Sequence, residues 1–155
     1  MPEQQTDQAR RSRAHETVGR ALRLLLEKDM AGFAGLWAPD GTMEFPFAPP
    51  GYPTRLDGRE AVRAYLRNYT DNVDPRAVTA QTRHDTSDPD TLIVEFEVDG
   101  VTVRTGHPYR MRYISVITVR ADGIASYRDH WSPLAAAQAF GRVDELLGPF
   151  VGRGA

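Results

Sequence analysis

A chain of 155 residues, 41% hydrophobic and 26% charged, fits one ordinary globular domain large enough to bury most of its apolar surface. Its formal net charge of −2 excludes a broad electrostatic attraction to nucleic acid or to an acidic membrane surface. There is no cysteine, hence no disulfide and no thiolate chemistry, and no apolar run reaches the ~20 residues that crossing a bilayer takes. The opening MPEQQTDQARRSR lacks a secretory hydrophobic core, so the expected setting is cytoplasmic.

In chain order, residues 1–8 are polar and expected to be disordered. From about Ala9 the pattern turns helical, with Val18, Leu22, Leu25 and Leu26 along one face. Asp29 suits the cap of a second, short helix carrying Met30, Phe33, Leu36 and Trp37. Ala38-Pro-Asp-Gly41 reads as a turn. Thr42 to Ala48 alternates, with Met43, Phe45 and Phe47 to one side, which predicts a strand whose edge is free at Pro46. After the stiff Pro49–Pro53 loop, Asp57 and Glu60 suggest a capping box for a third helix, whose inward face is Val62, Tyr65, Leu66 and Tyr69.

Past Asp74-Pro75 the spacing predicts strands over Val78–Asp85, Leu92–Val98, Pro108–Arg120 and Ile124–Trp131. The turns between them are Asp88-Pro-Asp90, Asp99-Gly100 and Asp122-Gly123. Ser132 then caps a last helix with Pro133 at its first position, lined by Leu134, Ala137 and Phe140 and ended by Gly141. A single domain is expected over residues 9–148, with a flexible tail at 149–155. The order is α+β: a long, curved antiparallel sheet with three main helices on one face, a cone closed at one end and enclosing a pocket, as in a cystatin-like α+β barrel.

The last strand carries the chemistry. As an extended segment it puts Ala125, Tyr127, Asp129 and Trp131 on one face and Ile124, Ser126, Arg128 and His130 on the other. The first set is mostly apolar and is expected to face inward. Asp129 is then a lone carboxylate between a tyrosine and a tryptophan. Burial makes such a group costly and lets it hold its proton, which is what acid–base chemistry uses. The bland alternative is an ion pair with Arg110 or Arg112, or a role in capping at Ser132. Glu95 and Glu97 alternate with Phe96 and are expected on the face away from the core; if that face is the pocket, one becomes a second acid or base. His84, His107 and His130 are single residues without metal-ligand spacing, so no metal is expected, although His107 before Pro108 can enter a pocket rim. No glycine-rich phosphate loop or nucleophile elbow is present, and no cofactor is expected.

The phrases Leu36-Trp-Ala-Pro-Asp-Gly-Thr-Met-Glu-Phe-Pro-Phe47, Leu56-Asp-Gly-Arg-Glu-Ala-Val62 and Tyr127-Arg-Asp-His-Trp-Ser-Pro133, in this order of elements, resemble the nuclear transport factor 2-like superfamily. Within it, the chain is most similar to SnoaL-like polyketide cyclases and phenazine-biosynthesis A/B-like proteins. The resemblance implies a last-strand general acid/base at Asp129 and a third-helix partner at Tyr65, where the phenazine proteins carry histidine. The base of the superfamily's ketosteroid isomerases falls on Phe45, which takes no proton; their oxyanion-hole tyrosine falls at about Ala21 and their protonated aspartate at about Ser115. The Arg-x-Asp of its epoxide hydrolases has only Glu95-Phe-Glu97 as counterpart. The function implied is a cofactor-independent isomerase or cyclase acting on a small hydrophobic or aromatic carbonyl substrate of polyketide type, with Asp129 and Tyr65 catalytic. Tyr127, Trp131, Phe45, Trp37, Glu95 and His107 are the substrate-binding candidates. Alternatives are an epoxide hydrolase or epoxide-opening cyclase, or a non-catalytic binding module. A homodimer is expected because Tyr109–Val119 is apolar on both faces.

Overall fold

A threonine just upstream starts the first helix: Thr6 accepts from the Ala9 N–H and caps α1 (Asp7–Leu26), two residues before the expected start. The computed structural model describes residues 5–141; the expected boundaries within 1–4 and 142–155 lie outside them. After α1 come α2 (Met30–Ala34), β1 (Trp37–Glu44), β2 (Arg55–Asp57), α3 (Arg59–Leu66) and α4 (Tyr69–Asn72). Then follow β3 (Val73–Asp85), β4 (Thr91–Thr102), β5 (Pro108–Arg120), β6 (Gly123–Trp131) and α5 (Pro133–Ala139).

The strands form one six-stranded sheet in the order β2-β1-β6-β5-β4-β3. It is mixed, because β1 runs parallel to β6 while every other neighbour is antiparallel. Helix α1 meets the sheet through Ala14, Val18 and Ala21, small residues that allow a close approach. Its outer end is fixed by Arg10, whose Nε and Nη2 donate to the two oxygens of Asp90 at 2.9 and 2.7 Å. Arg13 adds a third bond to Asp90 at 3.1 Å, so the helix is anchored to the β3–β4 hairpin by charge-assisted hydrogen bonds.

Local expectation and structure differ where pairing overrides a local signal. Helix α2 is capped by Asp29 as expected but stops at Ala34, and Trp37 opens β1 instead. The expected Ala38–Gly41 turn lies inside β1 as an irregularity, across which the pairing jumps from Trp37↔Ile124 to Thr42↔Ser126. Gly41 makes that possible, since a Cβ there would sit 2.2 Å from the Ile124 carbonyl oxygen. The strand ends at Glu44, so Phe47 is 62% exposed rather than inward. Asp57 is not a helix cap: it pairs with Thr42 in β2, and Gly58, at φ 90°, is the N-cap of α3. That helix ends at Leu66, and Tyr69 opens α4.

Asp99-Gly100 is not a turn either. The ladder continues through it, pairing Asp99 with Arg110 and Gly100 with Tyr109, and the chain reverses at residues 103–107. In β6 a bulge at Ala125 takes the pairing from Thr118↔Ser126 to Val119↔Ile124. The slip turns Ile124 inward, fully buried, where plain alternation placed it outward. From Ser126 onward the alternation holds.

The main core lies between the helices and one sheet face, around Val18, Phe33, Trp37, Met43, Val62, Leu92, Val94, Ile117 and Ile124. A smaller cluster of Val73, Tyr109 and Met111 is covered by the alanines of α5. Ser132 caps α5 through the Ala135 N–H at 3.1 Å, with Pro133 at its start, as the sequence reads.

Candidate functional site

The β5–β6 ladder sets Ser115 directly opposite Asp129, with Tyr127 and Trp131 on the same face of β6. Ser115 is fully buried, and its Oγ lies 3.2 Å from the Tyr127 hydroxyl and 3.4 Å from Asp129 Oδ1. One serine proton serves two acceptors, so Asp129 receives at most a weak, shared bond.

That weak solvation decides the charge state. Burial raises the Asp129 carboxyl from its ordinary value to about 7, and the Ser115 hydroxyl offsets only a little of the rise. Neither arginine proposed as a partner reaches it: Arg110 pairs with Asp99 at 2.7 Å and Arg112 with Glu97 at 2.8 Å, both across the outer face. Ser132 caps α5 with its own hydroxyl. Among the described residues, no cation stands within ion-pair distance of Asp129.

Four phenols lie within reach of the carboxyl's charge. Tyr65, Tyr69, Tyr113 and Tyr127 all have raised pKa values, first through burial, and the Asp129 charge pushes each further up. At neutral pH all four are protonated, and Tyr69 and Tyr113 bond each other. Aromatic rings pack next to these groups. Tyr127 stacks on Trp37 at 5.3 Å, with Phe33 5.4 Å from Trp37 behind it. Trp37 Nε1 donates to the Thr42 carbonyl at 3.1 Å, which locks this layer. Phe45 packs on Tyr65 at 5.2 Å, and Phe96 stacks on Tyr113 at 4.9 Å.

The structure therefore brings Asp129, Tyr65, Tyr127, Trp131 and Phe45 to one place, with Trp37 a layer behind. Glu95 and His107 are elsewhere. With Phe96 turned inward, Glu95 faces outward and meets His84 Nε2 at 2.6 Å. His107 is exposed in the turn between β4 and β5. Glu97 is also on the outer face, 9% exposed, held by Thr79, Arg110 and Arg112. Sequence reasoning missed Ser115 and Tyr113 as site residues. The alternation of β5, which turns Tyr109, Met111, Tyr113 and Ser115 to one side, was the signal that marks them.

The SnoaL-like domain model matches residues 18–140. This chain belongs to the SnoaL-like family. The six-stranded sheet with helices on one face is the nuclear transport factor 2-like fold that the motifs implied. A phenazine-biosynthesis A/B-like protein of Pseudomonas aeruginosa is 40% identical over 131 residues, which is 84% of this chain and 92% of that one. A solved structure named as an isomerase candidate, from Bacillus subtilis, is 40% identical with a TM-score of 0.81, covering 84% of this chain and 94% of that one. A structure named as a polyketide cyclase candidate, from Xanthomonas campestris, shares the fold at 17% identity and a TM-score of 0.71, covering 84% and 98%. No helix among the described residues of this SnoaL-like domain is long and apolar enough to cross a membrane.

Proposed function

We propose that this SnoaL-like protein is a cofactor-independent acid/base enzyme, an isomerase or cyclase, acting on a small hydrophobic or aromatic carbonyl compound of polyketide type. The observation that carries the reading is the Asp129 carboxyl, partly buried and without a cation, near protonated phenols and poised at about 7. At that value it takes a proton and gives it back at working pH. Its carboxylate removes a proton from the carbon next to the carbonyl, and the C–H electron pair moves into the enolate. Tyr65, 39% exposed as a residue and within reach of the Asp129 charge, donates its hydroxyl to the enolate oxygen. Protonated Asp129 then returns the proton to a different carbon, or to the alkoxide formed when the enolate carbon attacks a second carbonyl. The 40% identical structure named as an isomerase candidate supports this range.

An epoxide-opening reading needs a second carboxylate, and Glu95 and Glu97 face the other way. The deciding experiment is deuterium uptake at the α-carbon of 1-tetralone in heavy water. The wild type exchanges it; Asp129→Asn binds it without exchange. Equal exchange by both proteins removes Asp129 from the role, and binding without exchange by the wild type supports a binding module.

The proposal includes a homodimer in the cytoplasm. On the outer sheet face Ile114 is 46% exposed, and the ladder sets Ile93 opposite Val116 and Ile114 opposite His130, on which the exposed Phe47 packs at 5.2 Å. A second copy covers such a patch most simply. Light scattering at twice the chain mass supports it, and a monomer contradicts it.

A further inference from the structure

An exposed aromatic ring stands near this site, on the loop after β1, which enters the core through Phe45 and then leaves it. Residues 45–54 leave β1 and return to β2, closed at the base by the Phe45 N–H donating to the Thr54 carbonyl at 2.9 Å. Two inner bonds, Ala48 N–H to Phe45 O at 3.1 Å and Tyr52 N–H to Pro49 O at 3.2 Å, brace it. Pro46, Pro49, Pro50 and Pro53 fix its dihedrals, and Gly51, at φ 91°, makes the bend before Tyr52. This stiff loop holds the Tyr52 ring 47% exposed and edge-on to Trp131, with centroids 6.4 Å apart and planes at 71°.

Trp131 lies two residues beyond Asp129 on the same face of β6. Tyr65, packed on Phe45 with ring centroids 5.2 Å apart, lies within electrostatic reach of both Asp129 and Tyr52. Tyr52 therefore pairs with the residue that follows the acid on its own face of β6. A centroid separation of 6.4 Å is near the far limit of a useful aromatic pair, so little is lost when a flat ring replaces it.

Resting on the acid/base reading above, we propose that Tyr52 and Trp131 are the specificity-determining mouth of the site. They select planar, conjugated carbonyl compounds by stacking and disfavour saturated ones of the same size. A saturated ring is thicker and offers no π face, so it gains neither the fit nor the quadrupole contact.

The test uses two bicyclic ketones with the same carbon skeleton, aromatic 1-tetralone and saturated 1-decalone, measured by equilibrium dialysis. The wild type binds 1-tetralone about tenfold more tightly, the scale of one good aromatic contact. Tyr52→Leu, confirmed folded by circular dichroism, brings the ratio to within about twofold, and Tyr52→Phe keeps it, because the ring and not the hydroxyl selects. Asp129→Asn also keeps the ratio. A wild type that binds neither ketone, or both equally, overturns the proposal, as does an unchanged preference in Tyr52→Leu. Failure of the acid/base reading shows separately, as α-deuterium exchange that persists in Asp129→Asn while the binding ratio stays intact.

Discussion

Ser115 and Asp129 face each other across the β5–β6 ladder, and the serine hydroxyl, 3.4 Å from Asp129 Oδ1, is the only hydrogen-bonding side chain holding the carboxyl down among the described residues. A buried carboxylate with two or three firm donors titrates low; one with half of a serine proton does not. The pairing therefore acts as a tuner. It keeps the acid in register with Tyr127 and leaves it close to neutrality in charge.

Removing that donor moves the acid further up. In Ser115→Ala the Asp129 carboxyl loses its one stabilising bond while its burial stays, so the pKa rises from about 7. The acidic limb of the α-deuterium exchange profile, where exchange is lost as the carboxylate takes up a proton, moves to higher pH with it. An unchanged profile means that Ser115 does not interact with the reacting group.

Asp129 also costs stability where it is charged. Its pKa is raised in the folded state, so between about 4 and about 7 the folded chain holds a proton that the unfolded chain releases. Stability is full below pH 4 and falls as pH rises through 7, by up to about 4 kcal/mol. Asp129→Asn removes this dependence. Urea unfolding at pH 8 then finds the variant more stable than the wild type, with the difference vanishing near pH 4. A variant less stable at pH 8 contradicts the burial argument.

The aromatic layer behind the acid is structural. Trp37, 1% exposed, stacks on Tyr127 and bonds the Thr42 carbonyl across the irregular part of β1. Trp37→Ala leaves a cavity and removes the bond to the Thr42 carbonyl, and costs about 3–5 kcal/mol in urea unfolding. A loss below 1 kcal/mol shows that the layer repacks.

Helix α1 depends on the Asp90 anchor. Hydrogen bonding to Arg10 holds the Asp90 carboxyl below its ordinary range, so its contribution is present at neutral pH and is lost as pH falls through that depressed value. Asp90→Asn lowers Tm at pH 7 by about 2–4 °C, an effect that shrinks in high salt and on acidification. An effect independent of salt points to packing instead.

What was legible from residues alone was local. The Ser132-Pro133 start of α5, the span of β5 and the alternation around Asp129 all follow from a cap or a period of two, and they place the central acid. Asp99-Gly100 misled because turn chemistry there serves packing: a Cβ on Gly100 would lie 2.7 Å from the Tyr109 hydroxyl, so glycine makes room inside a continuous strand. The bulge at Ala125 and the parallel β1–β6 pair depend on contacts between distant segments, which no local window contains. For the same reason Tyr52 was passed over as loop: its partner, Trp131, is remote in sequence.

The most direct measurement is the titration of Asp129 itself, by carbon NMR of protein labelled at the aspartate side-chain carboxyl carbons, with the signal assigned by its loss in Asp129→Asn. A midpoint near 7 is expected. A midpoint near 4, the value of a solvated carboxyl, contradicts the account.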